Sequence, residues 1–240
     1  MKILGIDSSG LVASVALMVD GVIVGEYTIH NKKTHSQTLL PMIDEMLEMA
    51  QVDIGEIDCV AVSAGPGSFT GLRIGAATAK GIAWTLGVPV VAVSSLMSLA
   101  ANIAEEGRIV CPIMDARRSQ VYYGIYRINR GIPEVIVEPD VVPATEAARK
   151  AADIADGEKC PIFLGDGVPV YEEQIGKMFQ GAEFVRPSRR YQNAVSLVEL
   201  GEALYNQGEY VSAAEFAPVY LRKSQAERER EEAQKGKEKN

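Results

Sequence analysis

Histidine is scarce: His30 and His35 are the two in 240 residues. Neither lies in an HExxH pair, and no Cys/His group has zinc spacing, so a histidine-held metal is not expected. Cysteine is also sparse. Cys59, Cys111 and Cys160 are odd in number, far apart and without a CxxC, which reads as reduced thiols in a cytoplasmic protein. No run of 18 apolar residues exists, so no transmembrane helix and no membrane partner are expected. Met1–Asp7 turns acidic at residue 7 and lacks the apolar core of a secretory leader. Positive charge is in deficit, with 24 Lys and Arg against 32 Asp and Glu, a net charge of −8. That argues against gripping nucleic-acid phosphates by bulk charge and leaves room only for a local basic patch.

What is present describes a globular protein. Hydrophobic residues make up 47% and charged residues 23%, close to a folded average. The length suits one large domain or two small lobes, with enough core to need no disulfide or metal. Apolar runs predict strands at 3–8, 12–19 and 22–29, the last two joined by Asp20-Gly21, a preferred hairpin turn. Apolar residues at helical spacing predict a helix over 36–50, with Pro41 in its early turns. A strand over 57–64, a helix over 71–86, a strand over 89–93 and a helix ending near 104 follow. After Glu105-Glu106-Gly107 the order returns. Strands are predicted at 108–114, 120–128 and 134–138, a helix at 144–155, a strand at 161–165, a helix at 170–179, a strand at 183–186 and a helix at 194–207. Both halves read βββαβαβα, an α/β pattern repeated without visible sequence identity. The expected units are a first lobe over 1–106, a second over 107–222 and a charged tail over 223–240, where 11 of 18 residues are charged.

Four turns could carry chemistry. Gly65-Pro66-Gly67-Ser68-Phe69-Thr70-Gly71 joins a strand to a helix, a geometry that points free N–H groups at an anion. It is neither GxGxxG nor a Walker A loop, and its glycines could equally serve close packing. Asp7, Ser8 and Gly10 follow the first strand, and Asp115 follows its counterpart in the second half. With Gly165 and Gly167 they outline a candidate cleft for a nucleotide, or else are ordinary polar turns. No GxSxG nucleophile and no serine relay is present. Helix 36–50 carries Met42, Met46 and Met49, three of eight methionines, and its apolar stripe either widens the core or faces a partner.

These segments resemble the TsaB (YeaZ) family, part of the broader TsaD/glycoprotease-like group. The matching stretches are ILGIDSS at 3–9, HSQTLLP at 35–41, AGPGSFTGLRIG at 64–75, MDARRSQVYYG at 114–124 and PVYLR at 218–222. The resemblance implies an actin/Hsp70/sugar-kinase-like (ASKHA) fold of two related lobes. It implies a non-catalytic subunit in making threonylcarbamoyladenosine at position 37 of tRNA. The implied partners are a TsaD-like catalytic subunit, which transfers threonylcarbamoyl to the adenosine, and a TsaE-like ATPase. tRNA is engaged indirectly, and a homodimer uses the same surface when the partner is absent. The implied interface lies on the helices near 36–50 and 70–86, here Leu39, Leu40, Ile43, Met46, Leu47, Gly71, Ile74, Gly75 and Ala79.

In the catalytic relative two histidines four residues apart hold a metal. The matching positions here are Ser95 and Leu99. Arg117 and Arg118 stand where that relative has small glycines, which speaks against ATP or ADP in the cleft. The alternative reading is a nucleotide-binding or nucleotide-hydrolysing enzyme of the same fold. A peptidase, the older reading of the group, lacks a drawable mechanism.

Overall fold

The computed structural model describes residues 1–31, 33–155 and 160–222; the charged stretch 223–240 lies outside them. Ten strands form two five-stranded sheets among the described residues. The first holds β1 (Lys2–Asp7), β2 (Ala13–Val19), β3 (Val22–Ile29), β4 (Cys59–Gly65) and β5 (Val90–Ser94). The second holds β6 (Ile109–Asp115), β7 (Gln120–Asn129), β8 (Ile132–Pro143), β9 (Ile162–Leu164) and β10 (Glu183–Phe184). Their orders are β3-β2-β1-β4-β5 and β10-β9-β6-β7-β8. Read from opposite ends, these are the same topology. The first three strands run antiparallel and the last two run parallel to the first. The expectation of two related βββαβαβα lobes is met.

The helices are α1 (His35–Ala50), α2 (Phe69–Leu86), α3 (Ser95–Ala100), α4 (Ala144–Ala155), α5 (Val168–Met178), α6 (Pro187–Arg190) and α7 (Ala194–Asn206). The short α6 and the 3-10 turn at Ile54–Glu56 carry no apolar periodicity and were not expected from the sequence. β8 runs well beyond the expected 134–138, because Pro139 and Pro143 sit on an edge strand where a missing N–H costs no ladder bond.

Each sheet is covered on both faces, so its central strands are apolar on both sides. On the first sheet, Leu39, Ile43, Met46 and Leu47 of α1 and Ala76, Ala79 and Ala83 of α2 pack against Leu4, Val15 and Val62. The second sheet takes α4 and α5 on its matching face, through Ala147, Ala151, Tyr171 and Ile175. The two remaining faces are covered by exchange. Leu96, Leu99 and Ala100 of α3, from the first half, pack on Val110, Met114, Tyr126 and Leu164 of the second sheet. Leu197, Val198 and Leu200 of α7, from the second half, pack on Ile3, Cys59, Ala61 and Val91 of the first. Buried aliphatic side chains such as these contribute about 1.5–3 kcal/mol each. Beyond α7 the chain first returns along the first lobe. Val211 pairs with Val90 of β5, and Ala213 and Phe216 join the α1–α2 core. The cores therefore do not divide at 106/107 as the sequence pattern suggests.

Burial also corrects the expected interface. Leu39, Ile43, Met46, Leu47 and Ala79 are at most 6% exposed. They are the chain's own core because they occupy the stripe of α1 and α2 that faces the sheet. Leu40, 57% exposed, and the half-buried Ile74 remain outward. Gly71 and Gly75 are also buried. A Cβ on Gly71 would lie 2.1 Å from the Ser8 carbonyl oxygen, and one on Gly75 would lie 2.4 Å from Ser8 Oγ. These glycines let α2 approach the turn after β1.

Gly71→Ala is expected to lose about 1–3 kcal/mol by overpacking against a backbone oxygen. Gly81→Ala, on the exposed side of the same helix with nothing within 4 Å of its new Cβ, is expected to gain about 0.5–1 kcal/mol. Urea unfolding midpoints at unchanged slope check both.

Candidate functional site

A cavity of about 530 Å³ opens between the two lobes. Gly10, Ser68 and Thr70 line it from the first half, and Asp115, Arg117 and Asp166 from the second. A strap formed by Val219–Arg222 closes one side. Val219 N–H donates to the Ala64 carbonyl at 2.7 Å, and Tyr220 packs on Phe69 with ring centroids 4.9 Å apart. Arg222 then crosses to the second half, where Nη1 donates to the Ala116 carbonyl at 2.8 Å and to Gln120 Oε1 at 3.1 Å. The sequence carried this strap in PVYLR, but nothing local in those residues places them across a cleft.

The expected cleft residues separate. Gly10 and Asp115 line the cavity. Asp7 and Ser8 do not; both are fully buried beneath it. Asp7 Oδ1 accepts from Ser9 N–H at 2.9 Å and Ser9 Oγ–H at 2.7 Å, while Oδ2 has no partner. Burial pushes the Asp7 carboxyl above its ordinary pKa. Gly165 and Gly167 are also buried, pressed against the Ile113 carbonyl of β6, where a Cβ would lie at 2.2 and 2.9 Å. They are packing glycines. Asp166 between them faces the cavity instead, a residue the sequence reading passed over.

The anion reading of the glycine loop meets a physical obstacle. The space between the α2 N-terminus and the turn after β1 is filled by the chain itself. Ser68 N–H donates to the Ser9 carbonyl at 2.7 Å, and Ser8 Oγ–H donates to the Gly71 carbonyl at 2.9 Å. A Cβ on Gly67 would lie 2.3 Å from the Ser9 oxygen. Ser68 Oγ caps the helix by accepting from Gly71 N–H. The residues present do not fit a phosphate at this end of α2.

The second half presents two carboxylates, with Arg117 paired to one of them. Asp115 Oδ1 accepts from Arg117 N–H at 2.9 Å and Tyr171 O–H at 3.1 Å, and Oδ2 sits 3.3 Å from Arg117 Nη1. Asp115 N–H in turn donates to Asp166 Oδ1 at 3.0 Å. Burial, with the Asp115 charge adding to it, pushes the Asp166 carboxyl up to about 6. Burial and the same carboxylate push Tyr171 up to about 12. Arg117, Arg118 and Ser119 all take the left-handed backbone, φ 63°, 55° and 60°, a conformation that L residues visit at a cost. The Asp115 contacts to Arg117 and the Arg222 bond to Ala116 hold that turn.

The positions where the resemblance would place metal-binding histidines are occupied otherwise. Ser95 Oγ accepts from Gly65 N–H at 3.2 Å, and Leu99 lies in the core beneath α3. Both are fully buried. A leucine offers no ligand atom, so the residues do not fit that metal.

Comparison with known proteins agrees with this architecture. The family described as TsaD, tRNA N6-adenosine threonylcarbamoyltransferase, matches residues 23–230. A Bacillus subtilis protein named tRNA threonylcarbamoyladenosine biosynthesis protein TsaB is 32% identical over 98% of this chain and 100% of its own length. The Escherichia coli protein of the same name is 29% identical over 94% of this chain and 96% of its own. Among solved structures, a Pseudomonas aeruginosa protein described as similar to peptidase YEAZ superposes with TM-score 0.80 at 30% identity, covering 92% of this chain and 99% of its own. YeaZ from the same organism superposes with TM-score 0.78 at 31% identity over the same shares.

The raised Asp166 value predicts a pH dependence. The folded-state pKa lies above the unfolded one, so folding disfavours the ionised form. Stability is expected to fall as pH rises from 3.8 to about 6, by at most about 3 kcal/mol. Asp166→Asn keeps the acceptor for Asp115 N–H and is expected to raise the melting temperature at pH 7.5 but not at pH 4. Sequence likeness that runs the whole length of a curated TsaB at 32% identity, together with superposition on two YeaZ-type structures, shows that the chain belongs to the TsaB (YeaZ) family.

Proposed function

We propose that this chain is the non-catalytic partner of a TsaD-like subunit in threonylcarbamoyl transfer to adenosine 37 of tRNA. The observation that carries this reading is the state of Ser95 and Leu99. Where the catalytic relative is expected to hold a metal, this chain has a serine bonded to its own backbone and a leucine built into the core. The relatives' name, which describes threonylcarbamoyladenosine biosynthesis, supplies the pathway.

The surface for the partner is the outward side of α1 and α2. A groove of about 700 Å³ runs beside α1, lined by Leu40, Pro41, Val52, Ile54 and Ile82 and rimmed by Asp44 and Glu48. Leu40 and Ile54 are 57% and 41% exposed, and a contiguous apolar groove of this kind is what a partner surface can cover. Of the interface expected from the sequence, Leu40 and Ile74 are the members whose side chains a partner can reach. A TsaE-like ATPase joins the assembly, and in its absence a second copy of this chain can take the partner's place. The cleft supports no nucleotide chemistry of its own in this reading, because its α2 end is closed by Ser8, Ser9 and Gly71.

Reconstitution tests it. Transfer to a tRNA transcript is expected from the TsaD-like and TsaE-like subunits only when this chain is added, and none from the chain alone. Full rates without it, or turnover by the purified chain, sink the reading. Leu40→Glu is expected to weaken pairing by about tenfold or more with an unchanged melting temperature.

A further inference from the structure

Two stretches without any acidic residue meet on the surface of this acidic protein. Residues 27–43 carry no Asp or Glu, and neither do residues 184–198. They come from opposite halves of the chain. His30 meets Tyr191 edge to face, with ring centroids 5.1 Å apart. His30 is exposed and Tyr191 half-buried. Lys33 follows His30 by three residues, and Arg186 and Arg189 precede Tyr191 by five and two; all three are exposed. Among the described residues none of the three side chains has a hydrogen-bond or ion-pair partner.

The backbone that carries them is held in place. Asn102 Nδ2–H donates to the carbonyls of Arg189 at 3.2 Å and Tyr191 at 2.9 Å, and Gly165 N–H donates to the Arg190 carbonyl at 2.8 Å. Arg190 is spent on the protein itself, donating to the Val185 carbonyl and lying 3.8 Å from Glu172. Arg186 and Arg189 are left pointing at no acid.

Two further features share this place. The 16-residue α1 begins here without a side-chain cap and without an acid in its first turn, so its end keeps a positive field. His35, its first residue, shares a 3.0 Å hydrogen bond with the Gly10 carbonyl. Against the same Gly10 lies Gln192, 2% exposed, where its amide would stand 2.3 Å from a Cβ. Neither Gln192 Nε2 nor Oε1 has a partner. A buried amide with both ends idle is unusual and marks a place for a bridging water or a ligand group.

We infer that this surface binds a single-stranded segment of RNA. Phosphates sit on Lys33, Arg186 and Arg189 and at the α1 end, and an unstacked base lies against His30 and Tyr191. An acidic peptide would satisfy the cations but leave the aromatic pair unused. The inference rests on the reading that this chain works on tRNA, and gives it direct contact where the sequence led only to indirect engagement.

The test is filter binding of the full chain to a labelled tRNA transcript between 50 and 200 mM salt, with and without the TsaD-like subunit. Lys33→Ala/Arg186→Ala/Arg189→Ala is expected to bind at least tenfold more weakly, with a salt slope shallower by about two. His30→Ala is expected to weaken binding severalfold and leave the slope unchanged. Arg127→Ala/Arg149→Ala removes equally exposed cations elsewhere and is expected to bind as the parent does. Equal binding by the triple variant, equal loss by the control, no binding by the parent in either setting, or stronger competition from polyglutamate than from polyuridylate overturns the inference. Co-elution with the TsaD-like subunit, measured on the same variants, is expected to be retained. It separates failure of this contact from failure of the partner-subunit reading.

Discussion

The exchange of two helices holds this molecule together. Both sheets have apolar residues on both faces, so each needs two covers. Each half supplies one cover to its own sheet, through α1 and α2 or α4 and α5, and sends its last helix to the other. α3 buries Leu96 and Leu99 on the second sheet, and α7 buries Leu197 and Val198 on the first. Neither half can bury its own strands without the other. That is also why the cleft has fixed walls: the sheets that carry Asp7 and Asp115 are tied through these helices.

The same exchange sets the surroundings of Ser95 and Leu99. Ser95 and Leu99 lie on α3, the element the first half contributes to the second. Leu99 is part of the packing that joins the lobes, and Ser95 holds the end of β4 through Gly65. Next to it, Gly67, Gly71 and Gly75 let the turn after β1 settle into the space beside the α2 N-terminus. Two features that suggest a nucleotide site in sequence, an acidic turn and a glycine loop, have collapsed onto each other. What stays open is lined by Asp115 and Asp166 and covered by the Val219–Arg222 strap.

Charge is distributed as unevenly as packing. The chain is acidic overall, yet residues 27–43 and 184–198 contain no acid and are brought together by His30 and Tyr191. Net charge describes the field at a distance, whereas recognition depends on which side chains are neighbours and which are already neutralised. Arg108 is buried between Glu105 and Glu183 and Arg190 is occupied, while Arg186 and Arg189 are not.

Most of the fold was legible from local pattern. The Asp20-Gly21 hairpin, the helical spacing of Leu39, Ile43 and Met46, and the repeated βββαβαβα order are short-range signals, and the elements stand within a few residues of where they point. Which side of α1 faces out was not legible, because periodicity shows that a stripe is apolar without showing what covers it. Leu39 and Met46 face the sheet, and Leu40 faces out. Asp166 was hidden for a related reason: its neighbours Gly165 and Gly167 look like the active part of the turn, yet they serve the approach to Ile113. The sequence by itself determined the elements and their order, since these depend on residues near one another in the chain. Only the tertiary structure decided which sheet α3 and α7 cover, that Ser8 closes the α2 end, and that Tyr191 meets His30, because those contacts join residues far apart along the chain and are set by packing.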